Sequence, residues 1–419
     1  MTETSLLNIA TIVITLAALF GYVNHRWMKL QQSIGLVVIA LFASFGVIAL
    51  DALVPSLGFR EVVRHTLERI DFHETLMKGM LSFLLFAGAL HVDIGGLISR
   101  KWAIGSLATA GLLISTFLVG GTIFFATEYI GLDLPLAYCL VFGALISPTD
   151  PIAVLGILKT AQAPEQLEAK IAGESLFNDG VGIVVFTILV AIAAGGPGGE
   201  TLTAFGIGKL FAMEAFGGVL LGLIGGHLAY SAMKSIDEHN LEVLITLALV
   251  MLTYGIALAV HASGPIAVVV AGLLIGNRGA RFAMSDNTRD HIYKFWSLID
   301  EVLNSVLFLV IGFEVLALTI TAEIAALTAI AVPVVVAARF VSVAAPLSAL
   351  SALKRTFTKG AIPILTWGGL RGGISVALAL SLPDIPAKDI ILAMTYGVVI
   401  FSIIVQGLTV KTLVRMMAE

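Results

Sequence analysis

Ser147-Pro148-Thr149-Asp150-Pro151 interrupts a long apolar segment of the chain. A proline inside an α-helix removes a backbone hydrogen bond, and its ring clashes with the carbonyl four residues earlier. Two prolines this close together therefore predict that the helix breaks at this stretch. Asp150 followed by Pro151 is typical of the start of a second helix, because aspartate caps helix N-termini and proline is favoured at the first helical position.

The composition places this broken helix in a membrane. Of the 419 residues, 58% are hydrophobic and only 12% are charged, whereas a soluble domain carries about 25% charged residues. We predict an all-α polytopic membrane protein with about thirteen transmembrane helices, since crossing a bilayer takes about 20 apolar residues. The segments are 5–24, 32–53, 77–97, 103–126, 134–158, 166–193, 204–231, 240–260, 263–277, 292–318, 322–350, 360–381 and 388–412.

The net charge and the cysteine content limit which partners and which covalent links the chain is expected to have. The net charge of −4 is too small to indicate an electrostatic partner, and no nucleic-acid partner is expected. The single cysteine, Cys139, excludes a disulfide within the chain.

Lysine and arginine concentrate in alternate loops, and such loops stay cytoplasmic. They predict a multi-pass protein of the cell (inner) membrane with its N-terminus outside and its C-terminus in the cytoplasm.

A second interruption lies seven segments after the first. It reads Gly368-Gly369-Leu370-Arg371-Gly372-Gly373. Many secondary transporters pair two inverted repeats whose corresponding helices are broken near the midplane of the membrane. We therefore predict two six-helix inverted repeats, 5–193 and 240–412, joined by a linking helix at 204–231. The whole chain, 1–419, is then one transmembrane domain, and we expect no soluble regulatory domain.

The two breaks leave helix ends whose partial charges need partners. A half-helix that starts in the membrane presents roughly +0.5 charge, and one that ends there presents roughly −0.5. Asp150 suits the first kind of end, and Arg371 suits the second. Broken helices are tolerated in lipid only where they are buried or line a cavity. The crossing predicts a site, in which these two charges either only neutralise helix ends or also take part in its chemistry.

The sixth segment carries a compact polar cluster. Glu174 and Asn178 are four residues apart, as are Ser175 and Asp179, so each pair shares a helix face and the two faces adjoin. Charged groups at this depth are costly unless they face partners or water. The cluster therefore predicts a polar site, with a structural packing network as the alternative interpretation.

These residues carry a family resemblance. The chain resembles the sodium/proton exchanger branch of the monovalent cation/proton antiporters, in the manner of a bacterial or archaeal member of the cation:proton antiporter-1 type. The matching stretches are Thr149-Asp150-Pro151 with Gly173-Glu174-Ser175-Leu176-Phe177-Asn178-Asp179-Gly180, Asp300-Glu301-Val302-Leu303-Asn304, and Gly369-Leu370-Arg371-Gly372-Gly373. The resemblance covers nearly the whole chain. It implies a secondary transporter rather than an enzyme, and a homodimer.

The resemblance also implies roles for particular residues. It makes Asn178 and Asp179 the exchange centre, with Asp179 binding either the cation or the proton. It implies that Ser175, and Thr149 through its unwound backbone, help to coordinate the ion. Some family members add a carboxylate from the third segment, and Asp93 is the residue at that place.

Two further groups of charged residues lie in the predicted membrane segments, and the resemblance implies a role for the first of them. Relatives pair the glutamate of the sixth segment with an arginine of the eleventh, which maps onto Glu174 and Arg339 and implies a structural ion pair. Asp300 and Glu301 either line an inner funnel that attracts cations or form a salt bridge in the inner cavity.

The predicted chemistry needs no cofactor. Na⁺ and Li⁺ are hard cations that prefer carboxylate, carbonyl, hydroxyl and water oxygens. Cation and proton compete for Asp179, and because Asn178 cannot titrate, we predict an electroneutral one-for-one exchange. The alternatives are a K⁺/H⁺ antiporter of the same fold, an intramembrane aspartyl protease with Asp150 and Asp179 as its dyad, and a cation channel.

Overall fold

Helices make up nearly all of the described backbone. The structure, a computed structural model, describes residues 6–54, 79–151, 154–155, 158, 165–195, 204–316, 318, 321–353 and 360–418. Within these ranges the one β-type pairing is an isolated antiparallel bridge between Asp150 and Leu370. The predicted all-α class is confirmed, and the bridge joins the two predicted helix breaks.

The helices follow the predicted segments closely. Those of the first half and the linking segment are α1 (Leu6–Val23), α2 (Gln32–Leu53), α3 (Leu81–Leu90), α4 (Ile94–Ser99), α5 (Lys101–Ile130), α6 (Leu136–Ile146), α7 (Glu165–Ala193) and α8 (Ala204–Lys234). Those of the second half are α9 (His239–Ala259), α10 (Gly264–Leu274), α11 (Asp286–Glu314), α12 (Ala322–Ala352), α13 (Ala361–Trp367), α14 (Gly373–Leu380), α15 (Pro386–Phe401) and α16 (Gly407–Ala418).

The chain is a multi-pass membrane protein. Nine helical segments among the described residues are long and apolar enough to cross a bilayer, and α3 and α6 are shorter apolar helices. Every predicted segment overlaps with at least one helix. The number of thirteen crossings and the bounds of the two repeats stay predictions.

Several helices begin where the sequence supplies a hydroxyl cap. Ser263, Ser285 and Thr321 each accept a hydrogen bond at 3.3 Å from the backbone N–H three residues later. Such caps satisfy one of the backbone donors that a helix start leaves free. They fix the starts of α10, α11 and α12.

Glycines allow the first broken segment to pack closely between its neighbouring helices. The half-helix α6 packs against α5 and α7. A Cβ atom on Gly143 would collide with the carbonyl of Thr116, and one on Gly120 would lie 2.8 Å from the Cα atom of Leu140. Glycines of this kind allow helices in a membrane to approach closely. They hold the end of α6 in the interior, beside α7.

Candidate functional site

The two helix breaks meet at their backbones. The N–H of Asp150 donates a hydrogen bond of 2.8 Å to the carbonyl of Leu370. A break in a transmembrane helix frees backbone groups that must find partners away from lipid. Each break here supplies a partner to the other, which brings the end of α6 and the start of α14 to one place.

Arg371 neutralises the end of the first half-helix. Its Nη1 atom donates to the carbonyl of Ser147 and, at 2.8 Å, to that of Pro148. These carbonyls follow the last turn of α6, where the helix presents its partial negative charge. The side chain is buried, with 2% of Arg371 exposed. The sequence predicted this kind of partner for Arg371, and the structure places the helix end in the opposite break.

Asp150 lies against the start of the second half-helix of the other break. Gly372 is the residue that precedes α14, and a Cβ atom on it would collide with the carboxyl group of Asp150. That carboxyl group therefore faces the positive end of α14. The sequence pointed only to a helix start after Asp150 itself, where Leu155 N donates to the carbonyl of Pro151 at 2.7 Å. Each break thus supplies the charged residue that neutralises a helix end at the other break.

Two side chains of α7 hold the unwound Thr149. Ser175 Oγ donates to the carbonyl of Thr149. Asn178 Nδ2 donates to Thr149 Oγ1 at 2.9 Å, and the backbone N–H of Thr149 donates to Asn178 Oδ1 at 3.4 Å. The structure therefore brings together three of the residues that the family resemblance implied for the exchange centre.

The carboxyl group of Asp179 lies in the wall of an inner cavity. The cavity has a volume of about 680 Å³, and Thr149, Asp150 and Ser175 also line it. Asp179 is only 6% exposed. No described residue donates a hydrogen bond to its carboxylate, so both oxygens are available to a cation, a proton or water. The oxygens of Ser175 and Thr149 lie in the same wall, and they are of the kind that Na⁺ prefers.

Asp93 lies in the wall of this cavity but outside the Thr149 network. Its carboxylate caps α4 by accepting from the N–H of Gly96 at 2.7 Å. It also lies 4.0 Å from Arg281, and its side chain is 64% exposed. No hydrogen bond between described residues joins Asp93 to Thr149 or Asp179. The structure does not bring Asp93 into contact with the other implied ligands.

Asp300 contributes a further carboxylate to the cavity wall. Asn304 lies beside it and donates from Nδ2 to Asp300 Oδ1 at 3.0 Å and to its carbonyl at 2.9 Å. Within the described part of the chain, Asp300 forms no salt bridge. Of the two alternatives left open by the sequence, the geometry favours a cavity-lining carboxylate.

Glu174 and Arg339 form a buried bidentate ion pair. Arg339 Nη1 lies 2.5 Å from Glu174 Oε1, and Arg339 Nη2 lies 3.1 Å from Oε2. The guanidinium also donates to the carbonyl of Leu365 from Nε at 3.2 Å and from Nη2 at 2.9 Å. The pair therefore ties α7, α12 and α13 together behind the second break.

Sequence reasoning missed two polar residues of the last segment. The backbone N–H of Arg371 donates to Ser402 Oγ at 2.9 Å, and Ser402 Oγ donates to Gln406 Oε1 at 2.6 Å. Both residues are buried. A serine and a glutamine four residues apart in an apolar run were the available signal, since polar groups in a membrane normally have partners.

The fold and the site define a secondary transporter, with two crossed helix breaks and a carboxylate at an inner cavity. Residues 13–416 match the sequence model of the family described as "Sodium/hydrogen exchanger, transmembrane". The chain belongs to this family, whose members are transporters rather than enzymes. The resemblance found in the sequence is therefore confirmed.

Individual relatives are similar over nearly the whole chain. The Na⁺/H⁺ antiporter NhaP of Pseudomonas aeruginosa is 48% identical over 417 residues, which cover 98% of this chain and 96% of that protein. The Na⁺/H⁺ antiporter NhaH of Halobacillus dabanensis is 34% identical, with 93% of each chain covered. The solved structure of the sodium proton antiporter MjNhaP1 from Methanocaldococcus jannaschii is similar in fold, with a TM-score of 0.75, 19% identity and 97% of each chain covered.

Proposed function

We propose that the protein is a sodium (or lithium)/proton antiporter in which the cation and the proton compete for Asp179. The observation that carries this proposal is the buried carboxylate of Asp179, which faces a cavity and receives no hydrogen bond from the described residues. The names of the similar antiporters support the same activity.

The proposed cycle uses the oxygens that surround Asp179. A Na⁺ ion enters the cavity and binds the carboxylate, with Ser175 Oγ, the carbonyl of Thr149 and water as further ligands. A proton that binds Asp179 removes the charge that holds the ion, and the ion leaves. Asp150 and Arg371 neutralise helix ends beside the site, and the Glu174–Arg339 pair keeps the surrounding helices in register.

The proposed exchange moves one proton for one cation. Asn178 cannot titrate, and both ends of its amide are engaged by Thr149. Asp179 is then the one group of the exchange centre that trades a proton for a cation. The cycle moves no net charge, and its rate should not depend on the membrane potential.

The proposal extends to the whole molecule as the sequence predicts it. Two inverted repeats, 5–193 and 240–412, and a linking helix at 204–231 form one transmembrane domain in the cell membrane. Two copies form a homodimer, and each copy exposes its ion site to one face of the membrane at a time. Access alternates by rigid-body movement of the bundle that holds the broken helices. The cell role would be pH homeostasis and sodium transport, without a cofactor.

Everted membrane vesicles test the proposal directly. Respiration acidifies the vesicle lumen, and addition of NaCl or LiCl should cause saturable alkalinisation that Asp179→Asn abolishes. Asp290→Asn removes an exposed carboxylate of α11 and should behave as wild type. Competition also predicts that the apparent KM for Na⁺ rises as the pH falls, at constant maximal rate. Normal exchange in Asp179→Asn would refute the proposal.

The same assay separates the alternatives. KCl in place of NaCl decides between K⁺/H⁺ and Na⁺/H⁺ exchange, since oxygen ligands alone do not encode a radius. A channel would give current without a coupled pH change, and a protease would give neither. Neither a protease nor a channel is favoured, because the chain belongs to a family of exchangers.

A further inference from the structure

A π-helical turn lies directly against the second helix break. It spans Ser402–Gln406, between α15 and α16. Such turns are rare single-turn bulges with hydrogen bonds between residues five apart, and they are frequent at functional sites. The turn presents the hydroxyl of Ser402 to the backbone N–H of Arg371 and the amide oxygen of Gln406 to that hydroxyl.

The hydrogen bonds at this turn have a fixed direction. The Ser402 hydroxyl donates to Gln406 Oε1 at 2.6 Å, so its hydrogen is directed away from Arg371. Its lone pair is therefore available to the N–H of Arg371, which donates to it at 2.9 Å. Gln406 orients the hydroxyl, and the hydroxyl anchors the backbone of the break.

The side chain of Arg371 extends from this anchored backbone to the first break. Its Nη1 atom is held by the carbonyls of Ser147 and Pro148. Its Nη2 atom is buried and has no hydrogen-bond partner among the described residues. Arg371 and Gln406 also line a cavity of about 10 Å³, close to the space that one water needs. The described residues thus hold Nη1 of the guanidinium but not Nη2. A shift of the Arg371 backbone therefore moves Nη1 relative to the carbonyls of Ser147 and Pro148.

The first break has a matching arrangement. There, Ser175 and Asn178 of the segment that follows the break bind the unwound Thr149. Ser402 and Gln406 also lie on the segment that follows their break. In the predicted repeats the two segments correspond. Each supplies a serine that binds an unwound backbone, but Asn178 also binds Thr149 directly, whereas Gln406 acts through the hydroxyl of Ser402.

We infer that Ser402 and Gln406 form a positioning site for Arg371 and, through the carbonyls of Ser147 and Pro148, for the cation-binding backbone at Thr149. Neither residue lines the cavity that Asp179 faces. Thr149 directly follows the two carbonyls that Arg371 binds, so a displaced guanidinium moves the ligand carbonyl. This inference rests on the proposed antiport function and deepens it.

Two variants test the positioning site in reconstituted proteoliposomes. Ser402→Ala removes the acceptor for Arg371, and Gln406→Met removes the group that orients the hydroxyl. Each should raise the apparent KM for Na⁺ about three- to tenfold, the size expected for one lost buried hydrogen bond. The maximal rate at saturating Na⁺ should stay within about twofold of wild type, because the carboxylate of Asp179 is unchanged.

Matched variants separate positioning from a general loss of packing. Thr395→Ala removes another buried hydroxyl of the same segment, which among the described residues bonds only the carbonyl of Ile391, at 2.7 Å. It should leave the KM at the wild-type value. Ser402→Thr keeps the hydroxyl and should restore a KM near that of wild type. Thermal unfolding in a Na⁺ series gives a second readout, because the ion stabilises only the state that binds it.

The outcomes are distinct. A wild-type KM in Ser402→Ala and Gln406→Met overturns the inference, as does an equal shift in Thr395→Ala. A Ser402→Ala protein that fails to fold leaves the decision to Gln406→Met, which keeps the hydroxyl of Ser402 but removes the acceptor that orients it. A lower melting temperature with an unchanged Na⁺ midpoint also overturns the inference. Absence of Na⁺-coupled exchange in the wild type would instead refute the proposed function.

Discussion

Asn178 and Asp179 are adjacent in the chain and differ in what holds them. The amide of Asn178 is bonded to Thr149 through both its nitrogen and its oxygen. The carboxylate of Asp179 faces the cavity instead. At the scale of single residues, Asn178 therefore holds the unwound backbone, while Asp179 faces the space in which we propose that cation and proton compete.

Asn178→Asp should make transport sensitive to the membrane potential. The variant places a second titratable carboxylate in the exchange centre, so that two protons can move against one cation. Exchange rates in proteoliposomes, with the potential clamped by K⁺ and valinomycin, measure the change. Asn304→Asp adds the same charge elsewhere in the cavity wall and should stay insensitive. Equal voltage dependence of the wild type would contradict the proposed stoichiometry.

At the scale of secondary-structure elements, the Glu174–Arg339 pair connects three helices around the second break. The side chains are almost completely buried, and the guanidinium also binds the last turn of α13. Losing one partner of a buried ion pair leaves a charge without compensation. The pair therefore acts on the relative position of α7, α12 and α13.

Arg339→Met should lower the free energy of unfolding by about 3–5 kcal/mol. The double variant Glu174→Met/Arg339→Met should be less destabilised than the single one, because no unpaired charge remains. Lys294→Met, which breaks an exposed pair with Asp290, should cost no more than about 1 kcal/mol. Denaturation in detergent measures all of them. Equal effects of Arg339→Met and Lys294→Met would refute the structural role.

Gly120 and Gly121 give a test of the packing between α5 and α6. Gly120→Ala places a methyl group 2.8 Å from the Cα atom of Leu140, whereas Gly121→Ala meets nothing within 4 Å. Overpacking costs about 1–3 kcal/mol, so Gly120→Ala should lower the melting temperature. Gly121→Ala should not, since alanine favours a helix. The same loss in both variants would argue against close contact at Gly120.

Much of the site could be predicted from the sequence, because its signals are local. Prolines at 148 and 151 mark one break. The four-residue spacings of Glu174 with Asn178 and of Ser175 with Asp179 place these side chains on adjoining faces of α7. It could not be predicted that Asp150 and Arg371 would each neutralise a helix end of the opposite break. It depends on how two segments distant in the chain cross, and no local pattern encodes that crossing.

At the scale of the whole molecule, the predicted orientation can be tested with single cysteines. Asp133 lies in the exposed loop between α5 and α6, and Ser235 is exposed just after α8. In a Cys139→Ser background, a membrane-impermeant maleimide should label Asp133→Cys in intact cells. It should label Ser235→Cys only in everted vesicles. The opposite pattern would invert the proposed topology.

The exchange of charges between the breaks has a consequence for biosynthesis. Ser147 and Arg371 are separated by 224 residues, so the ribosome completes the first half of the protein long before it makes the arginine. During that interval the carbonyls after α6 lack the guanidinium group of Arg371, which later neutralises them. A chain truncated before Arg371 would therefore lack the guanidinium group that binds the carbonyls of Ser147 and Pro148 at its first break.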